Sequence, residues 1–200
     1  MTTTTPPKLT RQATSSPFAG IGLPRIVLLG AFSGMAAAMV MAMFAMVASV
    51  TYQHHGFFTP LFHISVLVGS PASMIASVRQ AMTGHAYWFT PGAALAGMII
   101  HLMTGAMFGA LFALIGRRVR RRSLVAAGAL YGLGVFAFAS IIGLPVAAAV
   151  TGSGDAISHM ATTVGWTTFA IEHLMFGIAL GVATSLIASR LAVEQSRTGS

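Results

Sequence analysis

Four long apolar runs, separated by polar or mixed segments, order the chain. The first covers about 26–50, "IVLLGAFSGMAAAMVMAMFAMVASV". The second covers about 92–116, "GAALAGMIIHLMTGAMFGALFALIG". The third runs from Leu124 to Val150 and the fourth over about 167–189. A helix rises about 1.5 Å per residue, so about 20 apolar residues cross the roughly 30 Å of a bilayer's hydrocarbon. Each run is long enough, and the pattern predicts an all-α membrane protein with four transmembrane helices in a single domain over 26–191. The segment between the first two runs contains "LFHISVLVG", which is too short to span. Pro60, Gly69, Pro71, Gly84 and Pro91 punctuate it. An interfacial or re-entrant helical pair over the mouth of the bundle is expected there. Residues 1–25, rich in Thr, Ser and Pro, are expected to be a disordered tail, and 192–200 a second tail. The long polar lead and the apolar run of about 25 residues argue against a cleaved signal peptide.

Composition sharpens this reading. The chain is 56% hydrophobic and 7% charged, against roughly 25% charged in soluble domains. The net charge of +8 does not point to nucleic acid, because the arginines gather at the ends of apolar runs and no basic groove interleaved with aromatics is present. Lys8, Arg11 and Arg25 precede the first run, "RRVRRR" at 117–122 joins the second to the third, and Arg190 and Arg197 follow the fourth. Only Arg79, among the 11 basic residues, falls on the other side. The asymmetry predicts a multi-pass protein of the bacterial plasma (inner) membrane with both termini cytoplasmic. Tyr52, Phe57, Phe58, Tyr87, Trp88 and Trp166 then form an aromatic belt at the outer boundary. With no cysteine, disulfides, thiolate metal sites and cysteine nucleophiles are excluded.

An internal repeat is visible. "HLMTGAMFG" at 101–109 matches "HLMFGIALG" at 173–181, each with His followed by Gly four and eight residues later. Gly30 and Gly34 of the first run pair less strongly with Gly128 and Gly132 of the third. The chain reads as two hairpins that run in the same direction, a parallel repeat about an axis along the membrane normal. Gly-x-x-x-Gly occurs in all four runs, and Gly30, Gly34, Gly105, Gly109, Gly128, Gly132, Gly177 and Gly181 are the expected packing positions, since small residues let membrane helices approach closely. Residues four apart share a helix face, so His101 and His173 should face the bundle interior with their glycines.

The histidine ahead of a glycine-rich second span, the basic turn, "GALYG" opening the third span, "GLPV" with Pro145 near its end, and the His-bearing fourth span ending in Arg resemble the YagU-like small bacterial inner-membrane proteins over about 92–191. The resemblance implies a multi-pass bacterial membrane protein and brings no reaction, cofactor or catalytic residue.

All seven histidines, among them His54, His55, His63, His101 and His173, fall toward the outer side. Histidine ligates metals and switches charge near neutral pH, but loop histidines are also commonly just solvated. Met35, Met39, Met43 and Met46 lie within an arc of about 80° on the first span. With His54, His55, His101 and His173, Met35 and Met39 are candidate ligands for copper, although a methionine stripe equally serves packing. Two facing histidines are also possible axial ligands for haem b. Neither cofactor is predicted outright. Glu172 is the one acid expected in hydrocarbon, beside His173 but about 100° around the helix from it. Such a group usually faces a partner or a wet cavity, and His101 and Arg79 are candidate partners. His101, Glu172 and His173 form the predicted polar site. "GSGD" at 152–155 is a loop rather than a nucleotide site, and no catalytic residues are predicted. Three functions fit: a non-enzymatic accessory or stress-related bundle, a small proton- or cation-coupled transporter, and a haem or copper protein. The lipid bilayer is the expected partner, with a homo-oligomer or larger membrane complex open.

Overall fold

The computed structural model describes Phe18 and residues 20–198. Most of the predicted N-terminal tail, residues 1–17 and 19, lies outside the described residues. The described residues form helices and no strand. Four helical stretches among them are long and apolar enough to cross a membrane: Leu23–Thr51, Pro91–Gly116, Arg121–Thr151 and Trp166–Leu191. The chain is an all-α membrane protein.

Helix α1 (Leu23–Thr51) begins three residues before the apolar run. Pro24 sits in its first turn, where a missing N–H costs nothing and a fixed φ suits the helix. Phe18 packs back against Ile26 and Ala113. Two short helices follow, α2 (Thr59–Ser65) and α3 (Ala72–Met82), and then α4 (Pro91–Gly116), also opened by proline. The third crossing is not uniform. Helix α5 (Leu124–Phe138) passes into a π-helical turn at Ala139–Gly143 and continues as α6 (Leu144–Thr151). Pro145 explains the change, because it donates no N–H and its ring crowds the carbonyl of Ile141, four residues back, which the wider turn moves aside. Two short helices, α7 (Asp155–Ser158) and α8 (Met160–Val164), lead into α9 (Trp166–Thr198). The last helix therefore runs on through the segment that the sequence pattern suggests is a tail.

Glycines set the packing. A β-carbon on Gly34 would lie 2.8 Å from Gly109 Cα, and one on Gly109 would lie 2.5 Å from Gly34 Cα; Gly30 and Gly105 would likewise strike the facing helix. The same holds for α5 and α9, where a β-carbon on Gly132 would lie 3.0 Å from Gly177 Cα and one on Gly128 would lie 3.0 Å from Gly181 Cα. Backbone therefore meets backbone in the pairs α1–α4 and α5–α9, and α1 also packs extensively on α9. Helices α4 and α5 touch only narrowly. Their meeting points are the Tyr131 hydroxyl, which donates to the Phe108 carbonyl (2.8 Å), and ring contacts of Phe112 with Tyr131 and Phe108 with Phe138. These lie toward the end of the bundle that carries the 117–122 arginines. A core of Ala37, Ala38, Phe112, Leu124, Phe176 and Leu180 fills that half.

The opposite end is capped. Helix α2 presses on α4 at Gly97, whose β-carbon would run into the backbone of Leu61. Ser49 Oγ donates to the Gly56 carbonyl (2.8 Å), and Thr59 and Ser77 share a buried hydroxyl pair (2.9 Å) that ties α2 to α3. Gln53 Nε2 donates to the Val164 carbonyl (2.8 Å) and the Tyr52 hydroxyl to Thr168 Oγ1 (3.1 Å), so the end of α1 is fastened to α8 and α9.

Candidate functional site

Beneath the cap lies a cavity of about 190 Å³. It sits between the two tightly packed helix pairs, on the side where α4 and α5 part. Its walls are mostly apolar, with Met41, Leu61, Ile64, Phe108, Leu144 and Phe176 among them. Its few polar groups are those on which the chemistry turns.

From α4 come Ile100 and His101, and from α9 come Phe169, Glu172, His173 and Phe176. The α9 set follows the spacing of one helix face, i, i+3, i+4, i+7. Glu172 and His173 are about 100° apart, yet they flank the midline of that face and both line the cavity. Ile100, the residue 72 positions before Glu172, lines it too.

The two histidines use different anchors. His101 Nε2 donates to the Ala38 carbonyl of α1 (2.9 Å). His173 Nδ1 donates to the Phe169 carbonyl of its own helix (2.7 Å). A carbonyl only accepts, so the bonded nitrogen carries the hydrogen in each ring, and the neutral ring keeps a lone pair on its other nitrogen. The difference traces to the facing helix. Small Ala38 lets the His101 ring reach the α1 backbone. Phe136 faces His173 instead, and that imidazole packs edge-on between Phe136 (6.0 Å) and Phe169 (4.4 Å).

Glu172 is 5% exposed. Its carboxyl has no hydrogen-bond or ion-pair partner among the described residues. The one sealed side-chain polar atom there without a partner is Thr184 Oγ1, so the Glu172 oxygens are not sealed and open on the cavity. Arg79, a candidate partner in sequence, is exposed on α3 and does not line the cavity. An ion pair between the exposed side chains of His159 and Asp155 (3.4 Å) lies at α7, away from the cavity lining.

His63 joins the site and was not singled out by sequence reasoning. It is 4% exposed on α2, lines the cavity, and donates from Nε2 to the Ala156 carbonyl of α7. It thus links the two loop segments that form the cap. Burial is the main cause that lowers its pKa below 6.5, and nearby His55 adds to this, against a smaller upward pull from the Ala156 carbonyl. His55 is lowered as well, by burial and by His54. The signal available in sequence was the apolar spacing of "TPLFHIS", too short to separate a buried turn from a solvated one.

Of the six candidate copper ligands, His101 and His173 share the cavity and the other four do not line it. Met39 is exposed and lines a separate surface groove with Val40, Met43, Val47 and Met175. Neither Met35, His54 nor His55 lines the cavity. Among the described residues, no three His, Asp or Glu side chains come together to hold a metal ion.

No protein-family model matches the chain, and neither does any curated protein or solved structure.

Proposed function

We propose that this protein is a non-enzymatic membrane bundle, accessory or stress-related in role, whose working part is a proton- or cation-binding site formed by His101, Glu172 and His173. The capped end faces outward, both termini lie in the cytoplasm of a bacterial cell, and the site occupies the outer half of the plasma membrane. The basic residues flanking the spans support this orientation. The resemblance to YagU-like proteins over 92–191 and the parallel repeat belong to the same reading. The matching glycine contacts in α1–α4 and α5–α9 support the repeat.

One observation carries the site: an unpartnered carboxyl faces a mostly apolar cavity. A charged carboxylate in hydrocarbon costs a few kcal/mol. Such a group is maintained either with a proton or with a cation. The neighbouring imidazoles have one nitrogen committed to backbone and one available to accept. The filled core toward the arginine end closes the cavity from that side, which supports a binding protein open to one side over a continuous pore. Copper has less support, because Met35, Met39, His54 and His55 do not line the cavity with His101 and His173.

A small proton- or cation-coupled transporter is the second reading. The π-helical turn at Ala139–Gly143 favours it, since such turns often mark functional sites where a helix rearranges.

The test uses the protein in lipid nanodiscs. Trp166 packs edge-to-face on Phe136, which touches His173, so its fluorescence reports on the site. The wild type should show a pH-dependent transition that Glu172→Gln removes while the fold is retained. The same titration in both proteins would refute the assignment.

A further inference from the structure

We propose that the cavity binds a small lipophilic ammonium ion, an amine head on an aromatic or branched apolar body, that reaches it sideways from the membrane between α4 and the α5–α6 helix. This rests on the reading of Glu172 as a cation site and names the cation's class.

The polar inventory of the cavity is the first support. Glu172 supplies carboxyl oxygens, His101 an unbonded Nδ1 and His173 an unbonded Nε2. Of the donors nearby, Thr104 Oγ1 is spent on the Ile100 carbonyl, and Gln53 Nε2 gives one of its two N–H groups to the Val164 carbonyl while its Oε1 is a further acceptor. No Lys or Arg lines the cavity. A site of acceptors with one acid repels anions and suits a head rich in N–H donors; an alkylammonium carries three.

Spacing is the second. Metal ligands converge within about 2.0–2.6 Å of one ion, and the site's His and Glu groups do not form such a cluster. An ammonium nitrogen reaches acceptors at about 2.7–3.2 Å, beyond the reach of such ions. Size agrees, since a dry cavity of about 150 Å³ holds benzene and this one is about 190 Å³.

The third support is the route. The helices α4 and α5 meet at Phe108, Phe112, Tyr131 and Phe138, toward the arginine end. Beyond that contact the π-helical turn intervenes and the cavity wall passes from Thr104 of α4 to Ala139 and Leu144. Thr104 lines the cavity and is also exposed on the outer surface of the bundle. In a bilayer that surface faces lipid, where an amphiphilic amine concentrates.

Calorimetry on the full chain in nanodiscs, with three probes of matched shape, tests this. Phenethylammonium should bind saturably, and propylbenzene and 3-phenylpropanoate at least about tenfold more weakly, the loss of roughly one charge-assisted hydrogen bond. Glu172→Gln should weaken phenethylammonium by about tenfold or more and leave propylbenzene unchanged. Ala139→Trp, which fills the window without touching the acid, should weaken both. Equal binding of the cation and the hydrocarbon by the wild type would overturn the proposal, and this comparison stands even where a variant does not fold. So would phenethylammonium binding that survives Glu172→Gln in a protein with unaltered melting, or zinc chloride binding more tightly than the amine. If Trp166 fluorescence still titrates through Glu172 while phenethylammonium does not bind, the organic cation falls and the proton site stands.

Discussion

Glu172 and Ile100 stand 72 residues apart and line the same cavity, one with a carboxyl and one with a butyl side chain. An acid in this place contributes nothing to packing that an aliphatic would not supply better. Functional sites commonly cost stability, so Glu172→Leu should melt at or above the wild-type temperature in detergent. A fall in melting temperature would mean the carboxyl is structural. The histidines are expected to behave oppositely. His101→Ala removes a hydrogen bond between α4 and α1, worth about 0.6–1.7 kcal/mol in membrane proteins, and should lower the melting temperature measurably. His63 gives a pH dependence. Its pKa is lowered in the fold by burial, with His55 adding and the Ala156 carbonyl opposing, so the unfolded chain takes up protons first. Stability is then full above pH 6.5, the ordinary histidine value, and falls as pH drops below it. His55, shifted the same way, adds to the effect. Among the cavity's other titratable groups, His101, Glu172 and His173 remain in place in a His63→Gln variant. That variant should lose part of the acid sensitivity of the melting temperature, and an unchanged pH profile would exclude the role.

Glycine decides how the helices meet. Leu at Gly105 or Gly177 would drive a side chain into the facing backbone, and overpacking of this kind costs about 1–3 kcal/mol or more. Both variants should melt lower and Gly134→Leu should not, because Gly134 has open space where a β-carbon would stand. Element by element, the four crossings were readable because length and apolarity alone report a span. Their ends were less so. Pro24 starts α1 earlier than the apolar run, and α9 continues through a stretch whose polarity suggests a tail. The interruption of the third crossing follows from Pro145, which donates no N–H and crowds the preceding turn. Helix α2 was hardest, since its seat depends on Gly97, more than thirty residues along the chain. The methionine stripe is divided between packing and surface. Its arc straddles two environments, with Met46 buried against Leu61 and Phe62 and Met39 and Met43 exposed.

For the whole molecule, the proposed orientation is checked by topology. Reporter fusions after residues 85, 120, 158 and 195 should read outside, inside, outside and inside. Neutral replacement of the five arginines within 117–122 should loosen that order. The candidate polar site was partly legible in sequence, through the one acid in the apolar runs and the repeated histidines. Its convergence on a cavity was not, because that depends on α4 and α5 parting. Infrared difference spectroscopy across a pH titration reads the Glu172 carboxyl itself. A carboxylic-acid carbonyl band should disappear as Glu172 ionises, be absent from Glu172→Gln, and shift in His101→Ala or His173→Ala. A wild-type spectrum with no titrating acid band, or one that Glu172→Gln leaves intact, would contradict the proposed site.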